Sequence, residues 1–128
     1  MNSEALEVYK GIDDFMVVLE DEAAIANNNP NFSLIKSMDS RGLIITAKGE
    51  EVDFVSRWYG PQTGINEDPA TGSAHALLAT YWSKILNKSE LNARQLSKRV
   101  GHLKCEVKDD LVEITGEAKL YLKGNIQV

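Results

Sequence analysis

The chain has 128 residues, 43% of them hydrophobic and 26% charged, which leaves room for one domain with an ordinary core and excludes both intrinsic disorder and two complete domains. With 14 Lys and Arg against 19 Asp and Glu, the net charge is -5, so nothing in the overall balance draws the chain to nucleic acid or to an anionic membrane. Its one cysteine, Cys105, rules out an internal disulfide and a multi-cysteine zinc site.

The N-terminal stretch Met1 to Leu6 has neither a basic n-region nor an apolar h-region, and no apolar run reaches the length of a bilayer. Together with the lone thiol, this predicts a cytoplasmic protein. Leu6 to Ile12 and Phe15 to Glu20 are rich in β-branched and aromatic residues on either side of Asp13-Asp14, so a hairpin is expected to open the fold. Asp21 to Ala26 starts a brief helix, which the breaker cluster Asn27 to Asn31, with Pro30 inside it, must stop. Phe32 to Met38 is ambiguous. Gly42 to Ala47 and Val52 to Tyr59 read as strands around a Lys48 to Glu51 turn, and Gly60-Pro61 is expected to end that sheet edge because proline cannot donate to a ladder. A loop is expected from Gln62 to Ala70.

From Gly72 to about Asn87 the period changes to that of a helix. Ala74, Leu77, Leu78, Tyr81, Trp82, Ile85 and Leu86 cover an arc of roughly 200° at 100° per residue, wider than a surface stripe. The helix is therefore expected to be mostly enclosed, with a sheet around it. Ala93 to Lys98, His102 to Val107, Leu111 to Gly116 and Lys119 to Leu122 read as a closing meander of strands. There is no internal repeat and no linker, so residues 1–128 form a single α+β domain, predominantly strand, around one long helix.

The stretch Gly64-Ile65-Asn66-Glu67-Asp68-Pro69-Ala70-Thr71-Gly72-Ser73-Ala74 places carboxylates just before a helix whose start is built of small residues. The first turn of a helix carries N–H groups without intrahelical partners and about half a positive charge, for which an anion is the complement. From Pro69 through Ser89 the charged residues are Lys84 and Lys88, so this helix supplies no acid of its own to its first turn. Gly72 and Ser73 are candidates to hold a carboxylate, and Asp68, held extended by Pro69, is a candidate to orient a polar substrate group or pass a proton. A second reading stands beside this one: Thr71 or Ser73 caps the helix, and Asp68 accepts hydrogen bonds from the turn.

These residues carry a resemblance. Arg57-Trp58-Tyr59-Gly60-Pro61, the Gly64 to His75 stretch with its Glu67-Asp68-Pro69-Ala70-Thr71-Gly72-Ser73-Ala74 string, Tyr81-Trp82, the Val8 to Glu22 stretch ending in Val-Val-Leu-Glu-Asp-Glu, and the strand-rich tail with Gly116 and Gly124 together resemble the phenazine-biosynthesis PhzF-like isomerases, over nearly the whole chain but over the second half of a family member only. The resemblance implies a half of the diaminopimelate epimerase-like fold: a mixed or antiparallel sheet wrapped around a central helix, facing a second half across a cleft. It implies proton transfer on a small carboxylate substrate without a cofactor or metal, with an acid/base glutamate from the other half. Asp68 and Ser73 match polar active-site positions, and the Gly72 and Ser73 amides, beside Thr71, match the carboxylate-binding turn. Activity would then need either a separate N-terminal-type half or pairing of the chain with itself as a homodimer. The alternative is a catalytically silent anion-binding or assembly domain of the same fold.

The remaining chemistry-bearing residues read as structural. His75 falls in the apolar arc, either buried and hydrogen-bonded or looking into the junction of two halves; with His102 as the other histidine, no metal-ligand spacing exists. Cys105 alternates with Leu103 and Val107 and reads as a core thiol, Tyr81 and Trp82 as core anchors. Arg94, Lys98, Arg99 and Lys104 read as a solvated strand edge, with the acidic N-terminal region as a complement across a dimer.

Overall fold

The computed structural model describes residues 4–128; Met1 to Ser3, part of the stretch read above as carrying no leader, lie outside the described residues. An eight-stranded mixed sheet runs in the order β1-β2-β3-β4-β6-β7-β8, with β5 paired to β4 off that path. The strands are β1 (Glu7–Lys10), β2 (Asp14–Val18), β3 (Gly42–Lys48), β4 (Phe54–Gly60), β5 (Ile65–Glu67), β6 (Glu90–Gln95), β7 (Gly101–Lys108) and β8 (Leu111–Gly116). Two short helices, α1 (Glu22–Ala26) and α2 (Phe32–Lys36), lie between β2 and β3, and the 15-residue α3 (Gly72–Leu86) precedes β6. β1 and β2 form the expected hairpin. Phe32 to Met38 resolves as a helical turn because Asn31 caps it, its Oδ1 accepting the Leu34 N–H at 3.1 Å.

The central strands β2, β3 and β4 are covered on both faces, and their sequences follow from that. Met16, Val18, Ile44, Phe54 and Trp58 point to one face, where they meet Ala74, Leu78, Ala79 and Trp82 of α3. Val17, Leu19, Leu43, Ile45, Val55 and Tyr59 point to the other, against Ile25 of α1 and Ile35 of α2. A strand buried on both faces needs a continuous rather than an alternating apolar run, and Leu43-Ile44-Ile45 is one. Thr46 is the polar exception: its hydroxyl donates to the Val55 carbonyl at 2.7 Å and accepts the Trp82 indole N–H at 3.0 Å, so the fully buried group is satisfied.

Four expectations change. Gln62 to Ala70 is not all loop: Pro61–Thr63 forms a 3-10 turn and Ile65–Glu67 adds to β4 as β5. Gly60-Pro61 ends β4 but not the sheet, because β4 lies between β3 on one side and β5 and β6 on the other. Lys119 to Leu122 forms no strand. Leu120, Tyr121 and Leu122 stand exposed beyond the edge strand β8, where alternation finds no neighbour to pair with. On α3, Ile85 is 55% exposed, and Leu77, Tyr81 and Leu86 are half-buried; an apolar arc records composition, not whether anything lies opposite its last turn.

The second edge of β4 positions the site. Its first half, Phe54 to Ser56, pairs in parallel with β6, and its last residues, Tyr59 and Gly60, pair with β5. Between these two ladders the chain leaves β5 and enters α3.

Candidate functional site

Asp68-Pro69-Ala70-Thr71 crosses the gap between β5 and β6, and its backbone groups are claimed by side chains of the β6 end. Gln95, buried at the end of β6, accepts the Thr71 N–H at 2.8 Å and donates to the Asp68 carbonyl at 2.8 Å and to Thr71 Oγ1 at 3.1 Å. The Ser97 hydroxyl donates to the Pro69 carbonyl at 2.7 Å, and the Asp68 N–H reaches the Trp58 carbonyl at 3.3 Å. Thr71 is the residue before the first helical position, where a threonine normally accepts a first-turn N–H. Its hydroxyl instead donates to Asp68 Oδ2 at 2.7 Å, and no side chain caps α3.

The consequence is a first turn with unspent donors. Gly72 and Ser73 are exposed, and among the described residues neither N–H has an acceptor. The carbonyls that could have taken them, those of Asp68 and Pro69, already hold Gln95 and Ser97. Among the described residues a Cβ built on Gly72 would meet nothing within 4 Å, so none of their atoms requires a glycine there.

Beside this turn lies a cleft of about 320 Å³ lined by Gly11, Asp13, Asp14, Arg41, Ser73 and Leu77 among others. Arg41 donates to Ser73 Oγ at 2.9 Å and grips the buried Asp14 carboxylate through both Nε and Nη2. Hydrogen bonding to Asp14 holds the guanidinium charge against partial desolvation, and the charges of Asp13 and Asp68 add to it. Below it, the guanidinium carbon sits 5.3 Å from the Trp58 ring centroid. That ring lies flat over the backbone of Gly42 and Gly60, where any Cβ would collide with it.

The structure brings Asp68, Thr71, Gly72 and Ser73 to one turn. Thr71, however, is buried with both donors spent on Gln95 and Asp68. Glu67, the other carboxylate of the stretch, is locked by Arg57 at 2.7 and 2.9 Å, and the same guanidinium donates to the Ile25 and Asn28 carbonyls. His75 is fully buried under the turn. The Thr71 carbonyl can only accept, so the 2.7 Å contact fixes the imidazole proton on Nδ1, while Nε2 has no partner. Burial pulls its pKa below the ordinary imidazole value, the Thr71 bond opposing, so the ring is neutral at pH 7. Cys105 is buried core, and Arg94 pairs with Glu22 of α1 at 2.6 Å, so this one pair of the expected charge complement is intramolecular. Among the described residues no His, Cys, Asp and Glu cluster could hold a metal, and no helix is long and apolar enough to cross a membrane. Gln95, Arg41 and Asp14 are the site residues that sequence reasoning missed as such; a glutamine closing a strand and an arginine opening one carry no local signal.

Comparison with known proteins identifies relatives along nearly the whole chain. The phenazine biosynthesis-like protein (PhzC-PhzF) family model matches residues 4–124. An uncharacterized isomerase of Pseudomonas aeruginosa is 47% identical over 91% of this chain and 45% of its own length, and one of Halalkalibacterium halodurans is 44% identical over 88% and 43%. The crystal structure of a putative phenazine biosynthesis PhzC/PhzF protein from Clostridium difficile superposes with a TM-score of 0.87 at 42% identity, covering 98% of this chain and 48% of that one. A PhzF family structure from Enterococcus faecalis gives 0.80 at 45%, over 92% and 48%. The chain thus spans about half the length of the relatives it matches. The family-model match over residues 4–124, the relatives above 40% identity and the two solved structures together place the chain in the phenazine biosynthesis-like (PhzC-PhzF) family.

Proposed function

We propose that this chain forms one wall of a PhzF-like isomerase site, in which a small carboxylate docks on the Gly72 and Ser73 N–H groups and a proton moves between its carbons without a cofactor. The fold reading that goes with it is a diaminopimelate epimerase-like half, the sheet wrapping α3. The observation that carries the proposal is the uncapped first turn: on two exposed residues at the positive end of a 15-residue helix, the N–H groups have no acceptor among the described residues. Proton removal next to a carboxylate builds negative charge on its oxygens, and fixed donors there stabilise the transition state more than the ground state. Asp68, half-buried with Oδ2 held by the Thr71 hydroxyl, presents its remaining oxygen to orient a polar substrate group or relay the proton, and Thr71 serves as its strut.

Such a transfer needs an acid and a base within hydrogen-bond reach of the reacting carbons. With Glu67 locked to Arg57 and His75 sealed beneath the helix, Asp68 is the carboxylate this turn offers. The other group comes from a second half, supplied by another segment or by a second copy of the chain. That one-sidedness favours a competing reading, a silent anion-binding or assembly domain of the same fold. A reducing cytoplasmic setting suits either, given the single buried thiol.

Incubating the protein in deuterium oxide with a panel of small carboxylic acids, alone and with any polypeptide that co-purifies, separates the two. Deuterium at the carbon next to the carboxylate, lost in Asp68→Ala, supports the isomerase. Absence of exchange under both conditions supports the silent domain.

A further inference from the structure

The geometry points to Arg41 as a positioning residue that makes Ser73 a fixed hydroxyl donor for the carboxylate, an inference that rests on the reading of the site given above. Arg41 immediately precedes β3 and lies 32 residues before Ser73. Its Nε donates to Asp14 Oδ1 at 3.1 Å, its Nη2 to Asp14 Oδ2, and its backbone N–H to the Asp13 carbonyl at 2.7 Å. Asp14 is 5% exposed, and the Trp58 ring lies under the guanidinium. The fork is therefore anchored in the sheet, and its remaining nitrogen, Nη1, meets Ser73 Oγ at 2.9 Å.

Each of the three guanidinium nitrogens makes one of these bonds and Asp14 matches the charge, which leaves one N–H on Nη1 and one on Nη2 uncommitted among the described residues. The bond to Ser73 acts indirectly. A guanidinium has no lone pair and can only donate, so it occupies a lone pair of Ser73 Oγ and turns the hydroxyl hydrogen away from itself. Among the described residues that hydrogen has no acceptor. It joins the Gly72 and Ser73 N–H groups to make three donors around one turn, and the adjacent positive charge strengthens it as a donor. With that lone pair taken, Ser73 meets a ligand as a hydrogen-bond donor rather than as an acceptor. Lysine cannot replace the arginine, because one ammonium cannot span both Asp14 oxygens and Ser73 in a fixed plane.

The test uses the 15N-labelled chain with benzoate as the probe at constant ionic strength, reading the Gly72 and Ser73 amide shifts and, without ligand, the Ser73 Hα–Hβ couplings. Wild type is expected to show a single Ser73 rotamer and Arg41→Met an averaged one. Benzoate affinity should fall about tenfold in Arg41→Met and in Arg41→Lys, the usual worth of one charge-assisted hydrogen bond. Adding Arg41→Met to Ser73→Ala should cause no further loss, because both act through one contact. Since Arg41→Met leaves a buried carboxylate unpaired, the Asp14→Asn/Arg41→Met pair repeats the measurement in a chain relieved of that charge and should show the same loss. An averaged Ser73 in wild type, unchanged affinity in Arg41→Met, or an undiminished loss in the Ser73→Ala background would overturn the role of Arg41. Wild-type amides that do not move with benzoate would overturn the carboxylate reading instead, and the couplings would still decide on Arg41.

Discussion

Gly72→Ala should raise stability and weaken anion binding at once, a pairing of signs that a glycine kept for the fold alone would not produce. Gly72 has no positive φ, and its missing Cβ would touch nothing within 4 Å, so alanine loses no contact and lowers the entropy of the unfolded chain by about 0.4–1 kcal/mol. For 128 residues, at an unfolding entropy of about 2.1 cal/mol/K per residue, that gain raises Tm by about 2–4 °C. The Cα–Cβ bond of a helical residue tilts toward the helix N-terminus. The new methyl therefore leans into the space where a carboxylate oxygen would sit, about 2.9 Å from the first-turn nitrogens. Losing one of those charge-assisted bonds costs about 1.5 kcal/mol or more, a fall in affinity of about tenfold. Calorimetric melting and benzoate titration on the same sample read both numbers. A Tm that drops by several degrees would mean that the fold itself demands glycine at this position. A higher Tm with unchanged affinity would mean that the first-turn amides do not anchor the acid.

Three further outcomes are expected. Because burial depresses the folded pKa of His75, the unfolded state binds the proton more readily. Stability should hold above the unfolded value near pH 6.5 and fall below it, by up to about 1.4 kcal/mol per pH unit until the folded ring titrates; urea unfolding from pH 7.5 to 5 should show this slope, and His75→Gln should flatten it. Burial pushes the Cys105 thiol up to about 11, so a disulfide reagent at pH 7 should label it only as fast as the chain unfolds, and immediate labelling of native protein would contradict its place in the core. Gln95→Ala strands the Thr71 N–H and the Asp68 carbonyl together, and should cost about 2–4 kcal/mol in urea unfolding while weakening benzoate binding. A Gln95→Ala chain of wild-type stability would mean the loop is held by something else.

Much of the architecture is legible because a few segments have one physically sensible home. Leu43-Ile44-Ile45 cannot alternate faces toward water, so it belongs inside a sheet covered on both sides. The 3.6-residue spacing from Ala74 to Trp82 requires a helix with one buried face, and Asp13-Asp14 between two apolar runs requires a turn. The parallel pairings of β2 with β3 and of β4 with β6 are not legible, because nothing local records which strand a crossover returns to. The short β5 is invisible for a similar reason: Ile65-Asn66-Glu67 carries one apolar residue, and its pairing is imposed by the end of β4 and by the Arg57–Glu67 ion pair. The tail fails in the opposite direction, with strand-like residues and no strand beside them.

At the site, the residues that bear the motif were readable and those that hold it in place were not. Asp68, Thr71, Gly72 and Ser73 lie within six positions of one another, so their chemistry can be weighed from spacing alone. Gln95 reaches Thr71 from 24 residues away and Arg41 reaches Ser73 from 32, distances at which only the fold creates neighbours. These distant partners bear on both sequence readings: neither Thr71 nor Ser73 caps α3 among the described residues, whereas Asp68 does accept a hydrogen bond from the turn, as the second reading expected. With the Asp68 and Pro69 carbonyls held by Gln95 and Ser97, and the Thr71 hydroxyl turned to Asp68, the natural caps of α3 are consumed in shaping the loop. An exposed helix start can also satisfy its orphan N–H groups with water. Here the orphaned donors coincide with a side chain withheld at Gly72 where the chain has room for one, and with a serine whose oxygen is engaged on one side only. A self-sufficient helix would gain stability by filling each of those positions. Leaving all three open costs the fold a little, and that cost is the one the carboxylate site proposed above would require.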